Sequence, residues 1–193
     1  MSVEFYESNA DSFIAQTADV DMAALYQRFC KHLPPGASVL DAGCGSGRDA
    51  LAFFNMGYDV VAFDASPKMV DAASKRAGVP VYQMTFEDMK FDRTFDGIWA
   101  CASLLHVPRA HLSEVLGSLG SFLRPLGVLY ASFKYGEQER EKGGRYFNDL
   151  NERLLAEHLK AVPNLNMVDV WTTRDQRPDR SNERWLNCLI TKA

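Results

Sequence analysis

The chain has 193 residues, 47% hydrophobic and 24% charged, which is enough for one domain, 1–193, with a real core. A formal net charge of −4 weighs against sequence-independent nucleic-acid binding, which needs a basic face. No apolar run approaches bilayer length, so no membrane partner is expected.

The opening, MSVEFYESNADSF, lacks the basic-then-apolar pattern of a secretion signal. Cys30, Cys44, Cys101 and Cys188 are scattered and form no CxxC pair. Reduced thiols and a cytoplasmic location follow as expectations. His32, His106, His111 and His158 show no zinc-ligand spacing, so no metal is expected.

Taken in chain order, Met22, Leu25, Tyr26, Phe29 and Leu33 follow helical spacing, and PPG at 34–36 stops that helix. With the segment before it, this forms a helical cap over 1–36. A short buried strand begins at 38–40, a helix follows over 49–56, and Gly57 ends it. YDVVAF (58–63) reads as a second strand. Ser66-Pro67 opens the next helix with a capping serine and a first-turn proline, and Gly78 closes it. VPVYQM (79–84) and FDGIWA (95–100) read as strands three and four.

Leu112, Val115, Leu116, Leu119, Phe122 and Leu123 make one apolar helix face, broken by Pro125 and Gly127. VLYASF (128–133) is a fifth strand. The polar stretch after it, 134–147, reads as an inserted lid with glycines for hinges. Leu150, Leu154, Leu155 and Leu159 mark a further helix, and MVDVWTT (167–173) with RWLNCLIT (184–191) suggests a closing hairpin. Strands alternating with helices imply an α/β fold, a mostly parallel sheet covered on both faces. Ligands of such sheets sit beyond the carboxyl ends of the strands.

One stretch, VLDAGCGSGRDAL (39–51), concentrates that expectation. Gly43, Gly45 and Gly47 strip side chains from the turn after strand one, so backbone can approach a ligand closely. The pattern is GxGxG, with Arg48 where a dinucleotide fingerprint has its third glycine. It is also preceded by Asp41, which would repel a pyrophosphate and suits an ammonium or sulfonium. Asp64 follows strand two about 20 residues on, where acids commonly hold ribose hydroxyls. Glu87 and Asp88 follow strand three, placed to accept from an adenine amino group. Together these residues describe a nucleoside joined to an amino acid, without phosphate. Alternatives stay open for two of them: Asp41 as a local cap, and Arg48 as an exposed helix residue.

VLDAGCGSGRD, VVAFDASPKMV, FEDM and FDGIWACASLLHVP resemble the successive motifs of class I S-adenosylmethionine-dependent methyltransferases, and FLRPLGVLYASFK is similar to that family's fifth-strand region. The likeness runs from about Val39 to the C-terminus. It implies a Rossmann-like, mostly parallel seven-stranded sheet with helices on both faces and a C-terminal antiparallel hairpin. It also implies S-adenosylmethionine as cofactor, leaving as S-adenosylhomocysteine. Carried over by motif, Gly43 and Gly45 face the methionine part, Asp41 supports its amino group and Arg48 reaches its carboxylate. Asp64 takes the ribose, and Asp88 with the backbone of 86–89 takes the adenine. Cys44, Ala65, Met69, Glu87 and Ala102 complete the cofactor set, with Cys44 also read as a small filler in a tight turn.

For the methyl acceptor, the sequence offers three segments. The N-terminal FYESNADSFIAQT brings Phe5, Tyr6 and Phe13, as a cofactor cover or as packing for the first helix. SLLHVPRAH brings His106, as base or anchor, or as a histidine bonding nearby backbone. KYGEQEREKGGRYFND brings Lys134, Tyr135, Glu137, Arg145 and Tyr146, as lid contacts or a solvated loop. Catalytic roles are assigned to His106 and Tyr146, and acceptor contacts to Tyr6, Tyr135 and Arg145. Arg174, Arg177 and Arg180 add positive charge.

KYGE, GGRYF and RPDR with WLN are similar to small bacterial methyltransferases of the tellurite-resistance and ubiquinone-methyltransferase-like groups. GRYF also resembles a segment of methyltransferases that finish wobble uridines in tRNA. The expected activity is methyl transfer to a small polar or anionic molecule, in a monomer or homodimer. A tRNA methyltransferase and a non-catalytic S-adenosylmethionine-binding protein are the alternatives.

Overall fold

The computed structural model describes residues 2–177, 180 and 182–193; Pro178 and Asp179 of the RPDR segment lie outside them. Strands β1 (Ser38–Ala42), β2 (Asp59–Asp64), β3 (Val81–Gln83), β4 (Phe95–Ala100) and β5 (Leu123–Lys134) are parallel. Two more strands, β8 (Leu165–Arg174) and β9 (Arg184–Lys192), form the closing hairpin, and β9 adds antiparallel to β5. The seven-stranded order is β3-β2-β1-β4-β5-β9-β8. It reverses between β2 and β4 on either side of β1, which opens a crevice at the carboxyl ends of β1 and β4.

Adjacent side chains on the central strands enter opposite cores. Leu40, Val61, Ile98 and Leu129 meet α5 (Arg109–Phe122) and α6 (Glu152–Lys160). Val39, Val60, Trp99 and Tyr130 meet α2 (Ala23–Cys30) and α3 (Arg48–Asn55). This is why these strands read as unbroken apolar runs instead of alternating ones. On the second face Trp99 stacks on Tyr130 at 3.9 Å between centroids, worth about 0.5–1.5 kcal/mol beyond the area buried. Helix ends follow local chemistry. Ser66 Oγ accepts from Met69 N at the start of α4 (Pro67–Ala77), and Asn151 Oδ1 accepts from Leu154 N at the start of α6.

Two segments differ from their expected form. Strand β5 begins at Leu123, directly after α5, because Leu123 already pairs with Phe95. The chain then bulges through Leu126 (φ 64) before pairing resumes at Val128. The segment after β5 is no open loop but a hairpin of β6 (Glu139–Lys142) and β7 (Arg145–Asn148) turning at Gly143-Gly144. Arg109 ties it down, donating to Asn148 Oδ1 (2.9 Å), Glu137 O (3.0 Å) and Asp149 O (2.9 Å). Helix α1 (Ser2–Thr17), kinked at Asn9, bridges the hairpin and the start of α4. No helix among the described residues is long and apolar enough to cross a membrane.

Candidate active site

The glycine turn is folded by backbone bonds. Gly43 N and Cys44 N both donate to Phe63 O at 2.9 Å, which lashes the end of β1 to the end of β2. All three glycines have positive φ (74°, 53° and 76°), a region that side chains rarely adopt. Their surroundings separate their roles. A Cβ on Gly43 would lie 2.4 Å from Ser103 Cβ, and one on Gly47 2.8 Å from Ala73 Cα. Those two glycines permit close packing. Gly45 has only Phe13 within contact, at 3.9 Å, so it is the one that leaves room for a ligand.

A cavity of about 470 Å³ opens over this turn, within the range of small-molecule sites. Of the cofactor residues expected from sequence, the structure brings Gly43, Cys44, Gly45, Arg48, Asp64, Ala65, Met69, Glu87 and Ala102 to its wall. Asp64 Oδ2 accepts from Gly45 N (2.8 Å) and Oδ1 from Ser66 N (2.9 Å). Backbone donors thus aim the carboxylate. Burial raises its pKa, against those backbone bonds.

Asp88 does not line the cavity. Its side chain folds back and accepts from Thr85 Oγ1 at 2.9 Å, whereas Glu87 and Phe86 face the space. Asp41 lies behind the turn, 2% exposed, with its Oδ2 unpartnered. Burial first, and then the neighbouring Asp49 charge, push its carboxyl well above the usual range.

Asp49 escaped notice in the sequence, where it read only as the start of a helix. Buried, it accepts from Tyr26 OH, Trp99 Nε1 (2.8 Å) and the Arg48 guanidinium (2.6 and 2.9 Å). Burial alone would raise its pKa, but Arg48 and these bonds outweigh it and hold the carboxyl low. The available signal was a buried strand tryptophan, whose N–H needs a partner. Arg48 also donates to Thr17 O (3.1 Å). Three of its five N–H donors are therefore used within the protein.

Opposite the glycine turn, His106 joins three segments. Nδ1 lies 2.7 Å from Tyr146 O, so Nδ1–H donates, because a carbonyl only accepts. Nε2 is then the acceptor for Tyr6 OH at 2.8 Å. Burial drives the His106 pKa down to about 4, so the ring is neutral near pH 7. Tyr6 is raised by burial, with the Arg145 charge and a hydrogen bond from Arg145 opposing. Tyr146 contributes its carbonyl here. Its hydroxyl donates to Glu139 and accepts from Arg109 N (3.3 Å). Ala102, between β4 and His106, sits at φ 53, a conformation costing about 1–3 kcal/mol for a non-glycine residue.

Tyr135 stands apart from this group; exposed, it donates to Glu152 Oε2 at 3.1 Å beneath Arg184. Among the described residues no group of three or more His, Cys, Asp or Glu is placed to hold a metal ion. The bare Gly45 backbone, the Asp64 carboxyl and the cavity's size fit a ligand with hydroxyls. A polyphosphate would meet Asp64 and Glu87.

Residues 39–127 match the methyltransferase domain family. The chain is 34% identical to a ubiquinone biosynthesis O-methyltransferase of Xanthomonas campestris pv. campestris, across 81% of this chain and 77% of that protein. The crystal structure of Burkholderia thailandensis 1,6-didemethyltoxoflavin-N1-methyltransferase, with bound 1,6-didemethyltoxoflavin and S-adenosylhomocysteine, superposes with a TM-score of 0.79. It is 25% identical and covers 99% of this chain and 85% of that one. A TehB-like methyltransferase from Corynebacterium glutamicum shares the fold, with a TM-score of 0.73 at 21% identity, over 99% of this chain and 98% of that one.

Proposed function

The chain belongs to the class I S-adenosylmethionine-dependent methyltransferases, and from that premise we propose that it methylates a small polar or anionic molecule. The observation that carries this reading is the cofactor-sized cavity walled by Gly45 and Asp64 on one side and by Tyr6 and His106 on the other. The bound acceptor of the similar Burkholderia structure supports a small-molecule acceptor.

S-adenosylmethionine, when bound, supplies a methyl group on a positively charged sulfur. Asp64 holds the ribose hydroxyls, each charge-assisted bond contributing about 1.5–3 kcal/mol. Gly45 lets the backbone lie against the methionine part. Arg48 offers its remaining N–H donors to the carboxylate, fixed in place by Asp49. Glu87 and the backbone near Phe86 border the adenine. Glu87 takes the part that the sequence assigned to Asp88, whose carboxylate is spent on Thr85.

His106 and Tyr6 face the acceptor. With Nδ1 committed to Tyr146 O and the Nε2 lone pair taken by Tyr6 OH, His106 takes a proton only by way of Tyr6. Alignment of acceptor and methyl carbon is the larger contribution.

The test is to incubate the protein with methyl-labelled S-adenosylmethionine and a cell extract split into small molecules, RNA and protein. Label is expected in the small-molecule fraction. Label confined to RNA, or cofactor binding with no transfer at all, would overturn the proposal.

A further inference from the structure

A second cavity, of about 130 Å³, adjoins the first and shares Tyr6, Phe13, Cys101, Ala102 and His106 with it. Its lining is aromatic and cationic. Tyr130, Phe147 and Trp185 supply ring surface, and Arg48, Lys134, Arg145, Arg174, Arg177 and Arg180 supply positive charge beside Asp175.

Three of those six cations are paired with carboxylates inside the protein. Arg48 pairs with Asp49, Lys134 with Asp175 and Glu183, and Arg177 with Asp175. Arg145 differs from Arg174 and Arg180 by its aromatic contacts. Its guanidinium lies over the rings of Phe5 (4.3 Å) and Phe147 (5.1 Å) and hydrogen-bonds Tyr6, while its Nε is buried with no hydrogen-bond partner. No carboxylate among the described residues pairs with it. Ring faces offset only part of the desolvation of a cation, about 0.5–2 kcal/mol. A planar fork of donors beside aromatic walls matches a carboxylate carried on a flat group.

We propose that this cavity is the acceptor's compartment and that it takes a flat, unsaturated molecule bearing a carboxylate, gripped by Arg145. The shared wall then places the acceptor against Tyr6 and His106. This proposal rests on the methyl-transfer reading and narrows its acceptor class.

The test uses benzoate and its neutral counterpart benzamide as probes, titrated calorimetrically into the full chain saturated with S-adenosylhomocysteine. Benzoate is expected to bind at least about tenfold more tightly than benzamide. Arg145→Met is expected to erase that preference, and Arg145→Lys to keep part of it, with S-adenosylhomocysteine affinity unchanged in both. Equal binding of the two probes, binding of neither up to about 10 mM, or a preference that survives Arg145→Met would overturn the proposal. Should the variants fail to fold, the two probes on the unaltered protein still decide it. Failure of S-adenosylhomocysteine itself to bind would instead remove the methyl-transfer premise, a result plainly separate from the others.

Discussion

On the glycine-turn side of the cleft, positions are set by backbone. Gly43 N and Cys44 N bind Phe63 O, and Gly45 N and Ser66 N bind Asp64. On the opposite side, side chains from distant segments do the positioning. Tyr6 reaches His106 across 100 residues, and His106 reaches Tyr146 O across 40. Helix α1 holds there through Glu7, which accepts from Ser66 Oγ and Lys68 N, and through Ser2 Oγ, which accepts from Tyr146 N. The first wall is built into the sheet. The second depends on docked surface elements, which can vary without disturbing the sheet.

That contrast can be broken at several points. Gly43→Ala would force a Cβ against Ser103 at a positive φ, and a loss of about 3 kcal/mol or more is expected. Urea denaturation midpoints measure it, and an unchanged midpoint would show that the turn tolerates side chains.

His106→Gln tests the other wall. The free-chain pKa is about 6.5 and the folded value is about 4. Between those values the unfolded chain binds more protons, so native stability is complete above pH 6.5 and falls as pH drops toward 4. The glutamine variant is expected to lose on the order of 2–3 kcal/mol less over that interval, read from thermal melts at several pH values. Parallel slopes would mean that the ring is not buried neutral.

Asp64→Ala should weaken S-adenosylmethionine binding more than about tenfold, or about 1.4 kcal/mol, by calorimetry. An unaltered dissociation constant would remove the ribose assignment. The smallest effect is expected for Tyr146→Phe. Its hydroxyl points to Glu139 and its useful group is the carbonyl, so turnover should change less than about twofold. A large loss would return the hydroxyl to the chemistry.

Much of the first wall was legible in the residues. GxGxG between a buried strand and a helix, followed by Asp64 after the next strand, is a local pattern in which spacing implies geometry. Glu87 and Asp88 show where that ends. Both follow β3, yet turn geometry commits Asp88 to Thr85 and leaves Glu87 to the cavity. The fold was also readable, because period and punctuation are short-range. The polar stretch after β5 was not, since its ordering as a hairpin comes from Arg109 across 28 to 40 residues.

Sequence alone determined the alternating architecture, the sheet's closing hairpin and the carboxylate after β2, because each rests on interactions among near neighbours. Only the tertiary structure decided that Gly43 and Gly47 serve packing while Gly45 opens to the cavity. It alone put Asp49 at the centre of a buried bond cluster, set Tyr135 aside, and joined Tyr6, His106 and Arg145 around a second cavity. Those outcomes depend on which distant surfaces dock and which buried polar groups find partners, and residue spacing along one chain does not encode either directly.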